Sequence, residues 1–247
     1  MSGWLVSEVF GPTIQGEGPS TGQRCVFIRL GGCNLACSWC DTPYTWAFGQ
    51  KAAKHHSGVK YDPKQELTMI PGEEVVARAR DLLGQLPGII VLSGGEPMLQ
   101  QKKLLPWIDH LGPHLEIETA GTIRPMETLI DHPYVHFNVS PKLYHSGNMW
   151  TDRMNVDALD DFCNARANFK FVVRHADERD MGSDLREIDD IVSINGIPRT
   201  RVWIMPVGTT VEEVMSGTTK LADAAIVRGY NLTTRLHTLI WGAERGH

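Results

Sequence analysis

Apolar positions along the chain fall into short blocks. Their spacing alternates between continuous, β-branched runs and stripes at helical period. Arg24 to Leu30 is apolar apart from its flanking Arg24 and one interior charge, Arg29, and reads as a buried strand. Glu73 to Leu86 carries Val75, Val76, Ala79, Leu82, Leu83 and Leu86, a helical stripe. Strand then alternates with helix: Ile89–Leu92, a helix over Gln100–Leu111 disturbed at Pro106, and Leu115–Thr119. Met126–Ile130 is at most a short helix before the strand Val135–Val139. A helix over Val156–Ala165 precedes the strand Phe169–Val173, and a helix over Asp184–Ile194 precedes Val202–Met205. Thr210 and Glu213 have capping-box spacing for a helix that runs to Arg228 and stops at Gly229. Leu236–Trp241 reads as a last strand or extended tail.

About six βα repeats call for a parallel sheet with right-handed crossovers. A closed eightfold barrel needs about 250 residues of dense βα units. Here residues 1–71 carry little of that pattern, so the expected fold is α/β, an incomplete open parallel βα barrel of about six strands. Residues 1–247 then form one domain, and its ligands sit at the C-terminal ends of the strands.

Two stretches fall outside the alternation. Val6–Phe10 has the look of a short strand, but Gly11–Gly22 is too rich in Gly and Pro for regular structure. That loop is either a surface turn or a backbone that approaches a ligand at Gly16 and Gly18, with Gln15 and Glu17 facing a nitrogen-rich ring. Residues 43–71 read as an inserted loop with room for a short helix, flanking the cysteine cluster, in which His55 and His56 are solvated.

The unusual residues gather at the strand ends. Cys33, Cys37 and Cys40 lie within eight residues just after the first strong strand. Three thiolates on one loop can converge on a soft metal centre: an iron–sulfur cluster with one iron open, or zinc completed by a histidine. The second Cys pair usual in zinc modules is absent. Arg29, inside a buried run, must be paired, either in a structural ion pair or as a fork for a substrate carboxylate. Cys25 and Cys163 read as core thiols.

Composition narrows the classes. The chain is 42% hydrophobic and 21% charged, with formal net charge −5 and no basic tail, which argues against a nucleic-acid partner. Five cysteines with no apolar N-terminal signal and no apolar run of bilayer length speak against secretion and against the membrane. A cytoplasmic enzyme is expected.

The C-x3-C-x2-C spacing with an aromatic before the last cysteine, together with Gly94-Gly95-Glu96, resembles the radical S-adenosylmethionine (SAM) superfamily. Within it the chain is similar to the 7-carboxy-7-deazaguanine synthase family. The matching residues are Phe10-x-x-x-Ile14-Gln15-Gly16-Glu17-Gly18, Phe27-Ile28-Arg29-Leu30, Cys40-Asp41-Thr42, Ser93-Gly94-Gly95-Glu96-Pro97, Glu116-x-Glu118-Thr119-x-Gly121, Ser140-Pro141-Lys142 and Leu236-His237-x-x-x-Trp241-Gly242.

The resemblance implies a 4Fe-4S cluster on Cys33, Cys37 and Cys40 that reduces SAM to a 5′-deoxyadenosyl radical. The radical would take hydrogen from C6 of 6-carboxy-5,6,7,8-tetrahydropterin. The ring then contracts and ammonia leaves, giving 7-carboxy-7-deazaguanine for queuosine and deazapurine biosynthesis. It implies substrate contacts from Ile14, Gln15, Gly16, Arg29 and Ser93. It implies a SAM site from Trp39, Cys40, Asp41, Gly95, Ser140, Pro141, Lys142, Met205, Pro206, Val207 and Gly208, and Mg²⁺ at Thr42. An electron donor such as flavodoxin and a homodimer come with it. Residues 43–71 are longer here than in the shortest members. The segment 242–247 extends past the point where some members offer a terminal carboxylate to substrate, so that contact is not carried over; His237 is a candidate in its place. Two other readings stand beside this one: a radical-SAM activase acting on a partner protein, and a zinc-stabilised binding module.

Overall fold

The structure is a computed structural model and describes residues 3–242 and 244–246. Ala243 and His247 of the C-terminal extension lie outside the described residues. In chain order the elements begin with β1 (Trp4–Ile14), β2 (Arg24–Leu30), α1 (Pro63–Glu66), β3 (Thr68–Ile70), α2 (Gly72–Leu83), β4 (Ile89–Gly94), α3 (Gln101–Leu104) and α4 (Ile108–Leu111). They continue with β5 (Leu115–Thr119), α5 (Glu127–Ile130), β6 (Val135–Val139), α6 (Trp150–Arg153), α7 (Val156–Asn164) and β7 (Ala167–Val173). The last are α8 (Glu178–Ile194), β8 (Val202–Pro206), α9 (Val211–Arg228), β9 (Asn231–Leu232) and α10 (Leu236–Trp241).

One open sheet runs in the order β3-β1-β2-β4-β5-β6-β7-β8-β9. From β2 onward every neighbouring pair is parallel, while β1 and β3 join antiparallel at one edge. The open parallel barrel is as expected, with β2 and β4 to β8 as its six main strands.

Side chains alternate across this sheet. Val26, Ile28 and Leu30 of β2, Ile90 and Leu92 of β4, Leu115 and Ile117 of β5, and Phe137 and Val139 of β6 belong to the main apolar core. Phe169, Phe171 and Val173 continue it on β7, and α2, α7, α8 and α9 pack there with Val75, Phe162, Ile188 and Leu221. Each such side chain contributes about 1.5–3 kcal/mol by leaving water. The intervening positions, among them Arg29, Ser93, Glu116, Glu118, Asn138 and Lys170, turn to the opposite face.

Three details depart from the sequence reading. β1 runs through Gly11 and Pro12 to Ile14 instead of ending at Phe10. It pairs with β2 across two register shifts, and such bulges accommodate residues that cannot keep a regular ladder. Leu236–Trp241 is helical, not extended. Six residues, four of them apolar, do not discriminate strand from helix, and the local hydrogen bond from Leu239 N–H to Arg235 O settles it. Residues 43–71 contain short helical turns and α1, as the loop reading allowed, but also the edge strand β3, which it did not include. Pro106 breaks the expected helix into α3 and α4. No helix among the described residues is long and apolar enough to cross a membrane.

Candidate active site

The C-terminal strand ends surround a cavity of about 1140 Å³. Its wall includes every site residue expected from the sequence except Pro141, which is buried behind it. Ile14, Gln15, Gly16, Arg29 and Ser93 lie along one part, Trp39 to Thr42 along another, and Gly95, Ser140, Lys142 and Met205 to Gly208 complete the ring.

The cysteine loop is held from all sides. Gly32 N–H donates to Thr45 O at 2.8 Å, and Ser38 N–H donates to Ser146 O at 2.9 Å. Asn148 accepts from Ala36 N–H at 2.9 Å and donates its amide to Cys37 Sγ at 3.3 Å. The Trp46 indole N–H donates to Cys40 Sγ at 3.3 Å, and Thr42 Oγ1 lies 3.5 Å from the same sulfur. Donors aimed at sulfur stabilise thiolates, the form that binds iron. The neighbouring segment grips the loop too: His55 Nε2–H donates to Cys40 O at 2.8 Å and His56 Nδ1–H to Ser38 O at 2.6 Å. His55 is therefore buried, against the expectation of a solvated side chain, while His56 stays exposed. Burial pushes the Cys37 thiol up to about 11 and raises Cys33 and Cys40 as well, so loading with metal would release protons.

Three loop thiols, donors to two of the sulfurs and an adjoining cavity fit a cluster with one iron left for a small molecule. Cys25 is buried in β2 and Cys163 partly buried in α7, both apart from this loop.

The next strand end is built from glycine for a steric reason. Gly94 has φ +120°, and a Cβ there would lie 2.2 Å from Leu30 O. Gly95 N–H donates to that carbonyl at 2.9 Å, and a Cβ on Gly95 would lie 1.9 Å from Gly32 O. Glu96, fully buried, accepts from Met98 N–H, Ala120 N–H and Thr119 Oγ1–H, and so locks the ends of β4 and β5 together.

Opposite the thiols lies a polar shell. The Gln15 amide donates to Glu116 at 2.7 Å and to Glu118 at 3.3 Å. Ser20 donates to Glu116 at 2.6 Å and Ser93 to Glu118 at 2.5 Å. Burial, with Glu118 beside it, raises the Glu116 carboxyl to about 7. Arg29 pairs with Glu8 at 2.7 Å, and its guanidinium lies 5.3 Å and 5.8 Å from the ring centroids of Phe10 and Phe27. Both readings of Arg29 thus find an object: it is ion-paired, and it lines the cavity.

Arg235 was missed in the sequence and ties three loops together. It donates to Glu17 at 2.9 Å, to Gly208 O at 2.6 Å and to Asp41 at 2.6 Å. Glu17 also pairs with Lys170. Burial would raise the Glu17 carboxyl, but Lys170 and Arg235 hold it well below the usual carboxylate range. Removing one partner from such a buried set is strongly destabilising, since it strands a charge. The only signal for Arg235 was a charge abutting the last apolar run. His237 sits against Gly16, where a Cβ would lie 1.9 Å from its Nδ1, so this glycine makes room for the ring.

Beside the cysteine loop, Trp39 stacks on His145 with ring centroids 5.4 Å apart, and Lys142 Nζ lies 5.7 Å from the Trp39 ring centroid. Lys142 also donates to Ser140 Oγ at 2.9 Å. His175 Nε2–H donates to Val207 O at 2.7 Å and fixes the 206–208 backbone.

Residues 14–119 match the family model of a 4Fe-4S single cluster domain. A 7-carboxy-7-deazaguanine synthase of Pyrobaculum aerophilum is 35% identical over 98% of this chain and 96% of its own length. One of Hyperthermus butylicus is 34% identical over 95% of this chain and 92% of its own. The crystal structure of QueE from Escherichia coli superposes with a TM-score of 0.67 at 26% identity, covering 94% of this chain and 93% of that one.

Proposed function

The chain belongs to the 7-carboxy-7-deazaguanine synthase family, and from that premise we propose how its residues serve the conversion of 6-carboxy-5,6,7,8-tetrahydropterin to 7-carboxy-7-deazaguanine. The observation that carries this reading is one cavity lined both by Cys33, Cys37 and Cys40 and by Gln15, Arg29, Ser93 and Glu118. The 4Fe-4S cluster with SAM supplies the one-electron chemistry when bound. Everything else is positioning by the chain.

Cys33, Cys37 and Cys40 hold the cluster. The backbone of Gly95, the Ser140–Lys142 turn and the 205–208 segment receive SAM, with Trp39 and Asp41 beside it. Arg29 keeps Nε on Glu8 and offers its terminal nitrogens to the substrate carboxylate, the bidentate match that a guanidinium makes best. Ile14, Gln15, Gly16 and Ser93 border the ring. Thr42 would offer its hydroxyl to Mg²⁺, a hard cation that prefers oxygen ligands. The Lys170–Glu17–Arg235–Asp41 chain, whose Asp41 end is exposed, keeps the substrate, SAM and cluster loops in register.

Residues 1–247 act as one catalytic domain in the cytoplasm, as a homodimer. The exposed Lys51, Lys54, Lys60 and Lys64 suit an acidic electron donor such as flavodoxin, and Lys51 Nζ lies 3.4 Å from Cys33 O. The activase reading is not favoured, because the similarity to synthases spans nearly the whole chain.

The test is an anaerobic assay of the iron-loaded protein with the pterin, SAM, a reductant and Mg²⁺. Formation of 7-carboxy-7-deazaguanine together with 5′-deoxyadenosine is expected. Release of 5′-deoxyadenosine with no pterin consumed overturns the reading.

A further inference from the structure

Asn138, on β6, is 3% exposed and lines the cavity. Among the described residues its Nδ2 has no hydrogen-bond partner. The polar side chains on the neighbouring strand ends are engaged: Gln15 on Glu116 and Glu118, Ser93 on Glu118, Lys170 on Glu17. Burying an amide without a partner is costly, so a free carboxamide at the wall of a cavity points to a ligand that completes it.

Its neighbour indicates which ligand. Asn138 and Glu118 are register partners across β5 and β6 and turn to the same face. Adjacent strands lie about 4.8 Å apart, which is the scale of 1,3-related substituents on a six-membered ring, such as an amine and an oxo group flanking a ring N–H. Glu118 accepts from Gln15 through one oxygen and from Ser93 through the other. Each carboxylate oxygen can accept twice, so both retain capacity. On the other side the loop closes over Asn138 at Gly18, which has φ +71° and whose Cβ would lie 3.4 Å from Asn138 Nδ2.

A carboxylate beside a carboxamide presents acceptors next to an acceptor–donor pair. The complement is a 2-amino-4-oxo-pyrimidine edge, whose amine donates and whose ring lactam both donates and accepts. We propose that Glu118 and Asn138 read this edge, Glu118 taking the exocyclic amine and Asn138 pairing with the lactam, and that Asn138 sets the preference for a 4-oxo ring. This rests on the synthase reading and adds to it the residues that tell one pteridine from another.

The experiment measures binding, not turnover. Iron-loaded wild type, Asn138→Leu and Asn138→Asp are titrated with fluorescent 6-carboxypterin and with 2,4-diamino-6-carboxypteridine, in which an amine replaces the 4-oxygen. Wild type should prefer the oxo compound by tenfold or more. Asn138→Leu should bind it at least about tenfold more weakly and lose the preference, because a site built to hydrogen-bond a group discriminates through the partner left unpaired. Asn138→Asp, which only accepts, should shift the preference toward the diamino compound. Iron content, melting temperature and SAM binding should match wild type. If wild type binds both compounds equally, or if folded Asn138→Leu keeps the affinity and the preference, the inference is overturned. Should Asn138→Leu fail to fold, the wild-type preference and Asn138→Asp still decide it. Absence of any 6-carboxypterin binding by wild type is a separate outcome: it overturns the synthase reading, and this inference falls with it.

Discussion

Arg29 and Glu8 are register partners across β2 and β1, and the guanidinium Nε lies 2.7 Å from Glu8 Oε1. Arg245 takes the other oxygen of the same carboxylate at 3.1 Å, and Tyr44 donates to the first at 2.9 Å. One side of the Arg29 fork is thus fixed before any ligand arrives. Arg29→Lys cannot keep Nε on Glu8 and also present two parallel donors. Truncating a buried charged partner costs about 2–5 kcal/mol, so turnover should fall tens-fold or more. Glu8→Gln should raise KM for the pterin severalfold with little change in 5′-deoxyadenosine formation. Turnover, iron content and melting temperature measured on one preparation check this. An Arg29→Lys protein that has lost cluster and stability along with activity would show the pair to be structural only.

Cys33→Ala, Cys37→Ala and Cys40→Ala should each abolish the cluster, since three thiolates leave no spare ligand. Iron content and the broad visible absorbance should fall together. Cys25→Ala and Cys163→Ala should keep both. A full cluster in any of the first three variants would refute the ligand set.

Thr42→Ala should blunt the response to Mg²⁺ and spare iron content and SAM cleavage. Thr42 Oγ1 lies 3.5 Å from both Cys40 Sγ and Gly94 O, between cluster loop and cavity. Product formation titrated against Mg²⁺ is the measurement, and a curve superposable on wild type would count against the assignment.

Glu116 gives a pH signature. Burial and the neighbouring Glu118 raise its carboxyl from 4.5 to about 7 in the folded chain. The folded state then binds a proton more tightly than the unfolded one, so stability falls as pH rises from about 4.5 through about 7 and levels off above that. The full span corresponds to about 3 kcal/mol. Glu116→Gln should flatten this segment of the ligand-free stability–pH curve, with a relative gain near pH 8. Denaturant unfolding at pH 5 and pH 8 tests it, and an unaltered slope in the variant would dismiss Glu116 as its source.

Gly95→Ala should damage the site through sterics alone. The new Cβ would lie 1.9 Å from the backbone oxygen of Gly32, one residue before Cys33, and neither backbone can yield cheaply. Loss of iron and of SAM binding is expected, with far-ultraviolet circular dichroism near wild type. Normal iron content would show that the loop can move.

The sequence alone determined the βα alternation, because apolar runs and helical stripes follow from burial on one face and need no distant partner to be legible. It also pointed to a soft metal centre, because three cysteines within eight residues of one loop can converge, while the choice of iron–sulfur over zinc came from the family resemblance. Leu115-Glu116-Ile117-Glu118-Thr119 shows what sequence left implicit. Its period-2 pattern already separates a core face, Leu115 and Ile117, from a polar one. Only the sheet, however, sets Glu118 beside Asn138 and brings Gln15, more than a hundred residues away, onto both carboxylates. The helical state of Leu236–Trp241 was likewise undecidable from six residues. The link from Arg235 to Glu17 and Asp41 spans 218 and 194 residues. No local pattern encodes such a link: a buried charge needs a counter-charge, and which residue supplies it is decided by how the strand ends meet.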